Sequence, residues 1–142
     1  MTVSHLPRMF RLVMAGAAFA TVLIACGTLG IARAESGSLA GSWRGSGSIA
    51  FSSGTKERAH CRAYFAKTGA TSYRMSATCA TASAKVDQSA KLTKVGARTY
   101  VGSFYNEQYN TGGRIHITVS GRRQSVHLSG EAGSADFLLR KR

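Results

Sequence analysis

Few residues in this chain have side chains that could do chemistry. Its 142 residues hold three Cys, four His and six Asp or Glu, against 19 Lys and Arg. A nucleophilic triad needs a base oriented by an acid. His60, His116 and His127 all fall on the polar phase of alternating runs. The acids Glu35, Glu57, Asp87, Glu107, Glu131 and Asp136 sit mainly at turns or among Lys and Arg. No two of them are placed for general acid–base work. His116 opposite His127 would titrate near neutrality or hold a metal weakly, because two exposed ligands are too few to select one. The expectation is a protein that is not an enzyme, with no catalytic residues, no metal site and no cofactor.

The cysteines and the positive charge say more. Cys61 and Cys79 are an even pair downstream of an export segment, which reads as one disulfide. Two Cys without a partnering His/Cys pair make no zinc ligand set. Arg58, Arg62, Arg74, Lys85, Lys91, Arg114, Arg122 and Arg123 alternate outward on extended runs or stand at their turns. They are candidate contacts for an anionic partner: a lipid head group, a lipopolysaccharide phosphate, an acidic polysaccharide or extracellular nucleic acid. Sequence-specific nucleic-acid recognition would add exposed aromatics among the basic residues. Only Tyr64, Tyr105 and Tyr109 offer themselves, the last two in the polar stretch Tyr105 to Gly113, which is the expected contact loop.

The first 34 residues read as an export signal. Arg8 and Arg11 precede an apolar run from Leu12 to Ile31, about 20 residues long. Ala32-Arg33-Ala34 then sets small residues before a cleavage point at Glu35. Inside the same segment Leu23-Ile24-Ala25-Cys26 resembles a bacterial lipobox, which implies acylation of Cys26 and a lipid-anchored chain. Both routes lead to an exported protein, periplasmic or secreted in the first case and held on the envelope in the second. Arg8, Arg11 and Arg33 leave with this segment, so 16 basic residues face all six acids and the remainder carries a net +10. One domain, residues 35–142, is expected.

That domain has no proline and 13 of the 16 glycines. No apolar period of 3.6 runs for three turns, whereas period two recurs throughout. Eight stripes emerge: Trp43 to Phe51, Cys61 to Phe65, Tyr73 to Cys79, Val86 to Leu92, Tyr100 to Phe104, Ile115 to Val119, Val126 with Leu128, and Ala135 to Leu139. Setting Cys61 opposite Cys79 brings Ala63 to Ala77 and Phe65 to Met75, a register a disulfide can bridge. A turn at Gly121-Arg122 sets Ile117 on Val126, Ile115 on Leu128 and His116 on His127. Eight short strands with tight turns predict an all-β, eight-stranded antiparallel up-and-down barrel, closed so that no edge is free. Its lumen is expected to be filled by side chains or to leave a modest pocket.

Gly41-Ser42-Trp43 at the first strand resembles the Gly-x-Trp opening of lipocalins and other calycin barrels. That resemblance implies a Trp sealing one barrel end under a basic residue of the last strand, here Arg140. The length and single disulfide are similar to those of the Inh-type metalloprotease inhibitors of bacteria, which would use Glu35 to Leu39 to enter a protease cleft. Gly41-Ser42-Trp43 and Gly102-Ser103-Phe104-Tyr105-Asn106 also resemble segments of small exported alphaproteobacterial proteins. Three functions follow as expectations. The first is a basic, non-enzymatic envelope protein that binds an anionic surface or partner. The second is a protease inhibitor, and the third a small carrier of an apolar ligand.

Overall fold

The structure, a computed structural model, describes residues 37–142. The export segment and Cys26 lie outside the described residues. Eight strands follow one another: β1 (Gly41–Phe51), β2 (Lys56–Lys67), β3 (Ser72–Ala80), β4 (Lys85–Lys94), β5 (Thr99–Asn106), β6 (Thr111–Ser120), β7 (Arg123–Gly130) and β8 (Gly133–Lys141). Each pairs antiparallel with the next, and β8 returns to β1 to close the barrel. The described residues contain no helix.

Alternation explains the wall. Inward positions such as Ala59, Cys61, Ala63 and Phe65 on β2 are buried, and their outward neighbours Lys56, Arg58, His60, Arg62 and Tyr64 are exposed. The outward face is polar and charged on most strands, whereas a barrel set in lipid would turn an apolar band outward. The expected registers are present. Cys61 pairs with Cys79 and the two form a disulfide on the inner wall. Ile117 faces Val126, and His116 faces His127. Gly121 in that hairpin takes φ 58°, the left-handed conformation its two-residue turn needs.

Closing eight strands needs strong coiling, and β1 supplies it with glycine. A Cβ at Gly45 or Gly47 would run into the carbonyl oxygens of Leu138 or Asp136 on β8. Glycine at these two inward positions lets the β1 and β8 backbones come that near.

One barrel end is sealed. Leu39 and Trp43 are 0% and 1% exposed and pack with Phe65, Tyr73, Leu92, Tyr100 and Leu139 in the core. The indole Nε1–H of Trp43 donates to the Leu39 carbonyl at 2.8 Å. Tyr73 and Tyr100 meet edge to face with ring centroids 5.1 Å apart, and burial first, then Tyr73, pushes the Tyr100 hydroxyl pKa up. The basic residue over the indole is Lys141, whose Nζ lies 5.4 Å from the ring centroid and donates to the Ser38 carbonyl at 2.8 Å. This corrects the assignment to Arg140. Phe137 and Leu139 point inward, so Lys141 shares their phase while Arg140 stands on the exposed face. The same packing occupies Gly37 to Leu39, the described part of the segment that the inhibitor resemblance sends into a protease. Gly37 lies against Gly121, and Leu39 is buried in the barrel.

Candidate functional site

The opposite end is open and forms a cup of about 720 Å³. Ile49, Val86, Phe104, Leu128 and Ala135 line its walls from five strands, and Phe51 stands at the rim, 37% exposed. Small residues leave the space: Ala84, Gly112, Gly130, Ala132, Gly133 and Ala135 all border it. Of the two outcomes left open by the sequence, a filled lumen holds around Trp43 and a pocket forms here, because side chains this short cannot reach across eight strands.

The rim is held by side-chain hydrogen bonds. Asn106, 3% exposed, accepts the Tyr109 backbone N–H at 2.9 Å through Oδ1, which ties the β5–β6 turn to the wall. Asn110 takes φ 47°, a conformation Asn tolerates better than most residues, and its Oδ1 accepts the Tyr105 hydroxyl. On the other side Ser83 Oγ lies 2.8 Å from both Glu57 carboxylate oxygens, joining the β3–β4 turn to β2. The hydroxyls of Thr81 and then Ser83 hold the Glu57 carboxyl below its ordinary pKa.

Pairing is incomplete on one flank. The β4–β5 register begins at Ser89, so Lys85 to Gln88 have no partner on β5. Val86 and Gln88 thus border a notch in the cup wall opposite the β5–β6 turn. Thr81, Ser83, Gln88, Asn106, Tyr109, Asn110, Thr111 and Ser134 supply polar groups among the apolar side chains of the lining. Glu131 is the only acid there, and no His, Cys, Lys or Arg lines the cup.

The residues picked out in the sequence are scattered over this scaffold. The expected contact loop is shorter than its composition suggests: Tyr105 and Asn106 end β5, Thr111 to Gly113 open β6, and only Glu107 to Asn110 turn. Tyr109 reaches the cup, whereas Tyr105 is exposed on the wall. Arg58 lies near His116, His127 and Asp136 in an outer groove, and His127 Nδ1 is 2.6 Å from Asp136 Oδ1. Among the described residues no Lys or Arg makes a salt bridge to a carboxylate. Arg74 pairs across strands with Lys91, Arg114 with Ser129, and Arg122 donates to the Lys141 carbonyl from its turn. Arg62 and Arg123 stand at the two ends of a cross-strand row. Its middle members are Arg44, which sequence reasoning did not select, and Arg140, which it selected for another role. The cup lining escaped sequence reasoning too, although the surplus of Gly and Ala at one end of several stripes was a visible signal.

No known family's sequence profile matches the chain, and no curated protein matches it in sequence. The fold does have solved counterparts. A redesigned β-barrel, mFAP1, solved bound to DFHBI, is 13% identical with a TM-score of 0.60, over 73% of this chain and 94% of that one. A second redesigned barrel is 14% identical, TM-score 0.59, over 73% and 91%. A de novo designed fluorescence-activating barrel is 9% identical, TM-score 0.56, over 72% and 93%. At these identities the likeness is one of fold. It shows the fold of a small closed β-barrel, and the calycin, lipocalin and Inh-type resemblances rest on the quoted residues alone.

Proposed function

We propose that this is a non-enzymatic, exported binding barrel that holds a small, largely apolar molecule in its open-end cup. The observation that carries the reading is the cup itself. It is a concavity of about 720 Å³ whose walls are mainly apolar and whose edge carries polar side chains, within the size range of small-molecule sites. A sealed far end supports it, since packing there keeps the strands rigid while the cup stays hollow. The notch beside Val86 and Gln88 gives a ligand a lateral way in, and Gln88 or Asn110 would orient one polar substituent. The mFAP1 barrel, similar in fold, was solved with the small molecule DFHBI bound. A disulfide between Cys61 and Cys79 supports an oxidising, exported compartment. The lining lacks the paired titratable groups that acid–base or nucleophilic chemistry would need.

The test uses an uncharged environment-sensitive dye, Nile red, so that the basic outer wall does not attract the probe. Saturable one-site binding is expected, and Ala135→Trp, which fills the cup, abolishes it. Arg58→Thr on the outer face leaves it intact. Absence of saturable binding, or equal binding by Ala135→Trp, would overturn the reading.

A further inference from the structure

Barrel closure builds an array that the linear sequence hides. Arg62 pairs with Arg44, Arg44 with Arg140, and Arg140 with Arg123. Four arginines thus stand directly opposite one another on the neighbouring strands β2, β1, β8 and β7. All four are exposed on the outward phase. Adjacent strands lie about 4.8 Å apart, so the guanidinium groups start from evenly spaced roots. No carboxylate pairs with any of them, since among the described residues no Arg or Lys makes a salt bridge. Arg142 adds a fifth guanidinium beside the row, because its backbone N–H bonds to the Ser42 carbonyl and pins the C-terminus against β1. Past Arg62 the row continues to Thr78 and ends at Asp87, whose carboxylate accepts the Thr78 hydroxyl at 2.6 Å.

Like charges directly opposite one another across strands repel and weaken a sheet. Four in register is a local cost that the fold does not need, since elsewhere on the described wall like charges meet across strands only at Arg74 and Lys91. Arginine suits the role of an anion receptor, because its planar fork binds phosphate, sulfate or carboxylate with two parallel hydrogen bonds.

We propose that the row Arg62–Arg44–Arg140–Arg123 binds a flexible linear polyanion, an acidic polysaccharide chain, laid across the four strands. This site is on the outer wall, is separate from the cup, and does not depend on the cup binding anything. The shape of the row selects the occupant. It spans four of the eight strands of a closed barrel, so its ends point in widely different directions. A flat anionic bilayer touches a convex wall along one line and cannot meet both ends, whereas a flexible chain wraps. Single-stranded nucleic acid is also flexible, but it gains affinity from stacked bases. Tyr64, 55% exposed and two residues from Arg62, is the only exposed Phe, Tyr or Trp on β2, β1, β8 and β7 away from the cup rim. One ring beside a row of guanidinium groups fits sugar contact better than a run of bases.

The experiment measures binding of a heparin-derived octasaccharide at roughly 0.05 M salt, where screening is weak. The double variant Arg44→Thr/Arg140→Thr is compared with Arg58→Thr/Arg114→Thr, which removes the same charge outside the row. The row variant should weaken binding about tenfold or more and lower the salt slope by about two contacts, against less than about threefold for the control. Equal losses would overturn the proposal, since net charge alone would then explain binding. The row variant should also melt at the same or a higher temperature at low salt, because repulsion has been relieved; a clearly lower melting temperature would count against it. Phosphatidylglycerol vesicles and a single-stranded oligonucleotide serve as competing probes. Row-dependent binding tighter for either than for the octasaccharide would overturn the choice of occupant.

Discussion

At one end of this barrel Leu39, Trp43, Phe65, Tyr73 and Tyr100 meet and leave almost no surface to water. At the other, Ile49, Phe104 and Leu128 surround space, and Phe51 is part exposed. Both ends are built from the same alternating strands. They differ in side-chain size and in what covers them: a strap, Gly37 to Ala40, lies over the large residues, and small residues at strand ends, among them Gly112, Gly130 and Gly133, frame the hollow. Stability is thereby concentrated around Trp43, leaving the far end free to be concave. The same division of labour is general in binding proteins, where a rigid scaffold carries a site that is itself under-packed.

Truncation is the sharpest way to break this contrast. Trp43→Ala should cost about 3–5 kcal/mol, whereas Phe104→Ala, half-buried at the cup, should cost under about 1.5 kcal/mol in urea unfolding. Similar values for the two would mean that the ends are equally packed. The disulfide comes next. It closes a separation of 18 residues and lies beside Val86 of the cup wall, so Cys61→Ala/Cys79→Ala should lose about 3 kcal/mol.

Gln124 tests the sealed end from the other direction. It is 1% exposed and neither polar atom of its side-chain amide has a hydrogen-bond partner in the structure. Gln124→Leu should raise stability by about 1–2 kcal/mol, since an unsatisfied buried amide is costly. A loss on that substitution would show that the amide is satisfied in solution. The smallest effect is at the rim. Because the folded pKa of Glu57 is lowered, its tie to Ser83 is intact above the ordinary carboxylate range and is lost as pH falls through the lowered value. Amide exchange at Ser83 and Ala84 should therefore quicken only at strongly acid pH, once the intrinsic pH dependence is removed, and Glu57→Gln should show the quickening already at neutral pH.

Much of the fold was legible because its interactions are local. The Cys61–Cys79 and Ile117–Val126 registers each follow from one hairpin, where turn length and alternation leave one solution. The stripe Ala135, Phe137, Leu139 even contained the answer at the Trp43 end. Its phase continues to Lys141, and the attraction of a familiar Trp–Arg pair obscured it. The cup and the arginine row were harder for a common reason. A cup exists only once eight strand ends of unequal bulk are brought into a ring, and no window of sequence shows which ends share it.

Composition and period two determine by themselves that the chain makes short strands, buries one face and turns a basic face outward, since these depend on residue type and neighbour spacing alone. Which charges stand together was decided by closure. Arg44 and Arg140 are far apart along the chain, and only the pairing of the last strand with the first sets them opposite one another and turns scattered arginines into a row. The hollow end has the same origin, because empty space is a property of packing in three dimensions and not of any segment.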